Sequence, residues 1–118
     1  MMSDFPSFTK HPLNRIAHSS QFTSDIDGYV FDGIDGSQVA FWTCSKDGTS
    51  LEHAHDFDEY FLVVEGQATV IVGDQKTVLE AGQELVIPKG TKQRVSVVAG
   101  TRTIHAFGGK RARRVSAD

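Results

Sequence analysis

At 118 residues the chain has the size of one domain and can enclose a hydrophobic core without disulfides. Apolar residues make up 39% of it and charged residues 23%, a globular balance that argues against a disordered chain or a membrane span. A formal net charge of -3 provides no overall positive field for nucleic acid, and the single cysteine, Cys44, excludes an internal disulfide and suits a reducing compartment.

Residues 1–27 are polar and irregular, with Pro6 and Pro12 and no sustained periodicity, and read as a loosely structured arm. The opening MMSDFPSFTKHPLNRIAHSSQ has no apolar run of signal-core or membrane-span length, so a cytoplasmic location is expected. From Gly28 the texture changes to short β-branched and aromatic runs cut by glycine turns at intervals of roughly ten residues, the pattern of an all-β antiparallel sandwich or small barrel. The predicted strands run Tyr29–Gly33, Gln38–Ser45, Leu51–His55, Glu59–Val64, Ala68–Val72, Thr77–Glu80, Glu84–Ile87, Gln93–Val98 and Thr103–Phe107. Asp47-Gly48, Glu65-Gly66, Gly73-Asp74, Ala81-Gly82 and Ala99-Gly100 supply the turns between them. The barrel is thus expected over residues 28–109. A basic tail follows at 110–118, in which KRARR (110–114) reads as a solvated charge run.

The chemistry lies in EHAHDFDEYFLVVEG, residues 52–66. Side chains two apart on a strand share a face, so His53 and His55 can reach one ion together. Glu59 has the same parity beyond a turn at 56–58, and a returning strand brings its carboxylate back beside the imidazoles. Two histidines and a carboxylate make a facial ligand set suited to iron, manganese, nickel, cobalt or zinc, with one side of the ion open to water or substrate. An isolated His-x-His on a hairpin is ordinary surface polarity. What distinguishes this one is its sequel, Gly66 after six further residues and a second block, GQELVIPKGTKQ, from Gly82 to Gln93.

These blocks resemble the two motifs of the cupin superfamily, G-x5-H-x-H-x3,4-E-x6-G and G-x5-P-x-G-x2-H-x3-N. His53, His55, Glu59 and Gly66 fit the first, although only four residues separate Gly48 from His53; Gly82, Pro88 and Gly90 fit the second. The resemblance covers residues 48–97 and implies a small single-domain cupin, a jelly-roll or double-stranded β-helix barrel. It departs from the family where Gln93 stands in place of the second motif's histidine and Val97 in place of its asparagine. A glutamine oxygen is a neutral and weaker donor than imidazole. The site implied is therefore His53, His55, Glu59 and Gln93 around a divalent transition metal, the first three alone, or a metal-free pocket. Some small cupins, including polyketide-cyclase-like members, are similar in using a glutamine ligand.

His105, on a late strand, reads either as a partly buried, hydrogen-bonded histidine or as a proton shuttle or substitute ligand facing the barrel interior. Trp42, Phe61 and Val63 are candidate walls of a substrate pocket, and Cys44 lacks the neighbours that activate a nucleophile. Two functions are expected: a metal-dependent enzyme that oxygenates, isomerises or cyclises a small organic molecule, with Glu59 and His105 catalytic, or a non-catalytic module that binds a small ligand or metal. The resemblance further implies a homodimer, in which the arm before Gly28 would have a partner subunit to pack on. No nucleic-acid or membrane partner is expected.

Overall fold

The computed structural model describes residues 4–18 and 25–115. Within Gln38–Cys44, Gln38, Ala40, Trp42 and Cys44 are buried while Val39 is exposed, the period-two pattern of a strand with one face on a core. The same alternation runs through Glu59–Glu65, Gln67–Val72 and Arg102–Phe107. In chain order they are β1 (Ile26–Asp32), β2 (Gln38–Cys44), β3 (Gly48–Thr49), β4 (Glu59–Glu65), β5 (Gln67–Val72), β6 (Gln75–Glu80), β7 (Glu84–Ile87), β8 (Arg94–Val97) and β9 (Arg102–Phe107).

Two antiparallel sheets result, one of five strands in the order β1-β2-β9-β4-β7 and one of four in the order β3-β8-β5-β6. This is the all-β jelly roll expected. Consecutive strands mostly lie in opposite sheets or cross over, so the barrel closes around residues distant in sequence. Cys44, Phe61, Val63, Ala68, Val70, Leu79, Ile87 and Val97 fill the space between the sheets. A second cluster, with Ile16, Val30, Ala40, Trp42, Phe107 and Ala112, joins the first sheet to the terminal segments.

Two glycines are sterically required. Gly66 turns β4 into β5 at φ +85°, and a Cβ there would lie 2.4 Å from Thr101 Oγ1. Gly28 sits opposite Trp42 on β2, and its missing side chain makes room for the indole, whose Nε1 would stand 2.4 Å from a Cβ.

Three expectations are corrected. The stretch Leu51–His55 is not a strand; it carries one isolated bridge, His53 with Gln93. Ser50 explains the break, because its Oγ accepts from the backbone N–H of Val95 and so takes a donor that a continuing ladder would use. The arm is not loose where it is described. Residues 7–10 and 12–14 form 3₁₀ turns, Arg15 bridges Tyr29, and Ile16 bridges Arg114. Its apolar anchors, Phe5, Ile16 and Ala17, are buried but too widely spaced to register as periodicity. Nor is the basic segment a solvated run. Ala112 is buried, and Gln38 clamps the chain there, its Oε1 accepting from the N–H groups of Arg111 (2.8 Å) and Ala112 (2.9 Å) while its Nε2 donates to the Ala112 carbonyl. Residues 1–3 and 19–24 of the arm and 116–118 of the tail lie outside the described residues. Among the described residues no helix is long and apolar enough to cross a membrane.

Candidate functional site

The register of three adjacent strands assembles the site. On β4 the inward residues are Glu59, Phe61 and Val63; on β9 they are Thr103, His105 and Phe107; on β2 they include Ala40, Trp42 and Cys44. Glu59 pairs with Phe107 and Phe61 with His105, so Glu59 and His105 are diagonal neighbours on one face. On the other flank His105 faces Ala40, whose small side chain leaves room for the ring. The His53–Gln93 bridge, outside the strands, then carries two more polar groups to the same place: His53 N–H donates to the Gln93 carbonyl (2.9 Å) and Gln93 N–H to that of His53 (2.8 Å).

His53, His55, Glu59, Gln93, Thr103 and His105 line a cavity of about 70 Å³ together with Trp42, Cys44, Phe61 and Arg111. His53, His55, Glu59, Gln93 and His105 are all brought together there, as are the wall residues Trp42 and Phe61. Val63 is a correction: fully buried at 0% exposure, it packs in the inter-sheet core and lines no part of the cavity. Arg111 is the residue that sequence reasoning passed over. Its only signal in the chain is Ala112, a small apolar residue inside a basic run.

Glu59 is the hub. Its carboxylate is 4% exposed, and burial alone would raise its pKa; the hydrogen bond and charge of His105, the Gln93 amide and nearby His55 outweigh that and hold it below the ordinary value. An ionised carboxylate only accepts, so His105 Nδ1–H donates to Oε2 (2.7 Å) and Gln93 Nε2 donates to Oε1 (3.0 Å). The second nitrogen of His105 lies 2.9 Å from Thr103 Oγ1, so both ring nitrogens are engaged. That arrangement orients Glu59 and leaves His105 no lone pair to spend as a substitute ligand.

The two N-terminal histidines are prepared differently. His53 Nδ1–H donates to the Leu51 carbonyl (2.8 Å), which fixes the tautomer with the lone pair on Nε2. Burial lowers the pKa of both rings, that of His55 to about 4, so His55 is neutral at physiological pH. His55 stacks on Phe57 at 5.3 Å between ring centroids, with its Nε2 3.5 Å from Glu59 Oε1. The Cys44 thiol, pushed up to about 11 by burial, is inert.

Gln93 is 1% exposed, and among the described residues its Oε1 has no hydrogen-bond partner. Reversing the amide does not help, because it would set that oxygen against the Glu59 carboxylate.

Residues 40–107, from the middle of β2 through every one of these donors except Arg111 to the end of β9, match the family described as Cupin domain. The chain belongs to the cupin family. No curated protein matches it in sequence. Among solved structures this cupin is similar to the polyketide cyclase RemF from Streptomyces resistomycificus, at 17% identity and a TM-score of 0.69, covering 98% of this chain and 86% of that one. It is similar also to KdgF from Halomonas sp. (17% identity, TM-score 0.67, 81% and 93% covered). A cupin-2 domain containing protein from Shewanella frigidimarina NCIMB 400 is 26% identical, with a TM-score of 0.59 and 70% and 79% covered.

Among the described residues of this cupin, no group of three or more His, Cys, Asp or Glu side chains is arranged to hold a metal ion. Glu59, expected among the ligands, spends both oxygens on His105 and Gln93. The donor chemistry still fits an ion once Gln93 is counted: two neutral imidazoles and a buried amide oxygen that lacks any other partner, beside an ionised carboxylate.

Proposed function

We propose that this cupin is a metal-dependent enzyme that moves a proton on a small organic substrate, in an isomerisation or cyclisation. His53, His55 and Gln93 would hold the ion. Glu59 carries the proton, and His105 positions Glu59. The observation that carries this reading is the orphaned Gln93 Oε1, since a buried acceptor without a partner costs about 1–3 kcal/mol and a divalent ion at that atom removes the penalty.

When bound, the ion would polarise a substrate carbonyl and stabilise the negative charge that grows on it. Glu59 takes the proton from the neighbouring carbon and returns it to another position on the substrate. The His105 Nδ1–H and the Gln93 amide hold the carboxylate ionised before it takes the proton and keep it aimed at the substrate. Trp42 and Phe61 give the cavity apolar walls beside the reacting groups, and Glu59 exchanges its proton with solvent between turnovers. RemF, a polyketide cyclase on the same fold, is a fold-level precedent for cyclisation.

A second reading, a metal-free module for a small ligand, is favoured by the engagement of both Glu59 oxygens, which satisfies the carboxylate without an ion. Proton NMR in D2O separates the two. With protein reconstituted with nickel, cobalt, zinc, manganese or iron, 2-oxobutanoate should exchange its C3 protons for deuterium, and Glu59→Gln should slow this by about 100-fold or more. Equal rates in both proteins, or no exchange above the protein-free metal control, would leave the module reading in its place.

A further inference from the structure

We propose that Thr103 is the positioning residue of the His105–Glu59 pair: its buried hydroxyl holds the far edge of the imidazole and so aims Nδ1–H at the carboxylate. The inference deepens the enzyme reading above and, for the part that concerns turnover, rests on it.

Thr103 is a polar residue where packing alone calls for an apolar one. On β9 it faces inward with His105 and Phe107, 2% exposed, and its cross-strand neighbours are Trp42 on β2 and fully buried Val63 on β4. A hydroxyl taken out of water in such company costs free energy unless it is hydrogen-bonded. Among the described residues its hydroxyl has one hydrogen-bond partner, His105 Nε2, at 2.9 Å.

The ring needs that partner because its other neighbours fix its plane and not its edge. Trp42 and Phe61 meet it at steep angles, 87° and 62°, with centroids 4.8 and 4.2 Å away, and Phe107 stacks on it at 5.8 Å with 12° between planes. Aromatic contacts of this kind do not tell a ring nitrogen from a ring carbon. A half-turn about the Cβ–Cγ bond would put Cδ2 where Nδ1 stands and break the 2.7 Å bond to Glu59 Oε2. The Thr103 contact opposes that turn, because the same motion would replace Nε2 by a carbon. A hydroxyl suits the task for a second reason: it donates to a ring lone pair and accepts from a ring N–H, so it holds the same edge whichever of the two Nε2 presents. Valine, of nearly the same shape, offers neither.

The test compares Thr103→Val and Thr103→Ala, which lack the hydroxyl, with Thr103→Ser, which keeps it. Each variant is shown folded by circular dichroism, and His105→Gln assigns the ring signals. The first readout needs neither substrate nor metal: NMR of EDTA-treated protein labelled with 15N-histidine follows the His105 Nδ1–H. In wild type and Thr103→Ser this proton should give a resolved signal, protected from solvent; in Thr103→Val and Thr103→Ala it should exchange faster or disappear. The second readout is deuterium uptake by 2-oxobutanoate in the metal-reconstituted proteins. There kcat should fall about tenfold in the two variants without the hydroxyl, with KM little changed, and recover most of that loss in Thr103→Ser. No Nδ1–H signal in wild type, a signal unchanged in both hydroxyl-free variants, an unaltered kcat in an active enzyme, or Thr103→Ser as impaired as Thr103→Ala would overturn the assignment. The expected NMR changes in a protein that leaves 2-oxobutanoate undeuterated would keep Thr103 as the anchor of His105 and remove the enzyme.

Discussion

The two ends of the Gln93 amide have different fates: Nε2 donates to Glu59, while Oε1 accepts no hydrogen bond among the described residues. The sequence shows a glutamine where the family motif carries histidine, but not that its neighbour on β4 selects which end faces the cavity. His53, His55 and Glu59 are legible because their spacing is a motif; the Glu59–His105 contact is not, since it depends on the diagonal register of β4 on β9. Cys44 provides a prediction at this scale. With its pKa pushed up to about 11 by burial, the thiol stays protonated below that pH, and the thiolate that reacts is scarce. Iodoacetamide at pH 8 should leave the folded protein unmodified over hours and alkylate it once in urea, as read by intact mass. Rapid alkylation of the folded protein would contradict the burial account.

At the level of elements, the glycine-punctuated alternation makes the barrel strands readable from residue 28 onward. It misplaces Leu51–His55 because Ser50, by bonding Val95 with its side chain, ends the pairing that alternation alone would continue. The terminal segments are opaque for a different reason: their hold on the barrel is made of single bridges, a few buried apolar residues, Arg114 on Asp32 and the Val30 carbonyl, and the Gln38 clamp, rather than of any repeated pattern. That clamp is testable. Gln38 is 2% exposed, and Gln38→Ala would strip two buried N–H groups and a carbonyl at 111–112 of their partner and leave a cavity. Urea unfolding should show a loss on the order of 3 kcal/mol. A change under about 0.5 kcal/mol would mean that the segment carrying Arg111 is held by something else.

For the whole molecule, the parts the chain hides and the parts it displays meet in one cavity. The strands that pattern reveals bring Glu59 and His105 to the cavity, the stretch around the isolated His53–Gln93 bridge adds His53, His55 and Gln93, and the segment that reads as a solvated run delivers Arg111. All of it turns on the buried Gln93 oxygen having an ion as its partner. The most direct measurement is elemental analysis of protein purified without an affinity tag or added metal, comparing wild type with Gln93→Leu, both shown folded by circular dichroism. Near-stoichiometric transition metal in wild type, falling at least tenfold in Gln93→Leu, is the expected result. No metal in wild type even after reconstitution, or equal metal in the two proteins, would contradict the account.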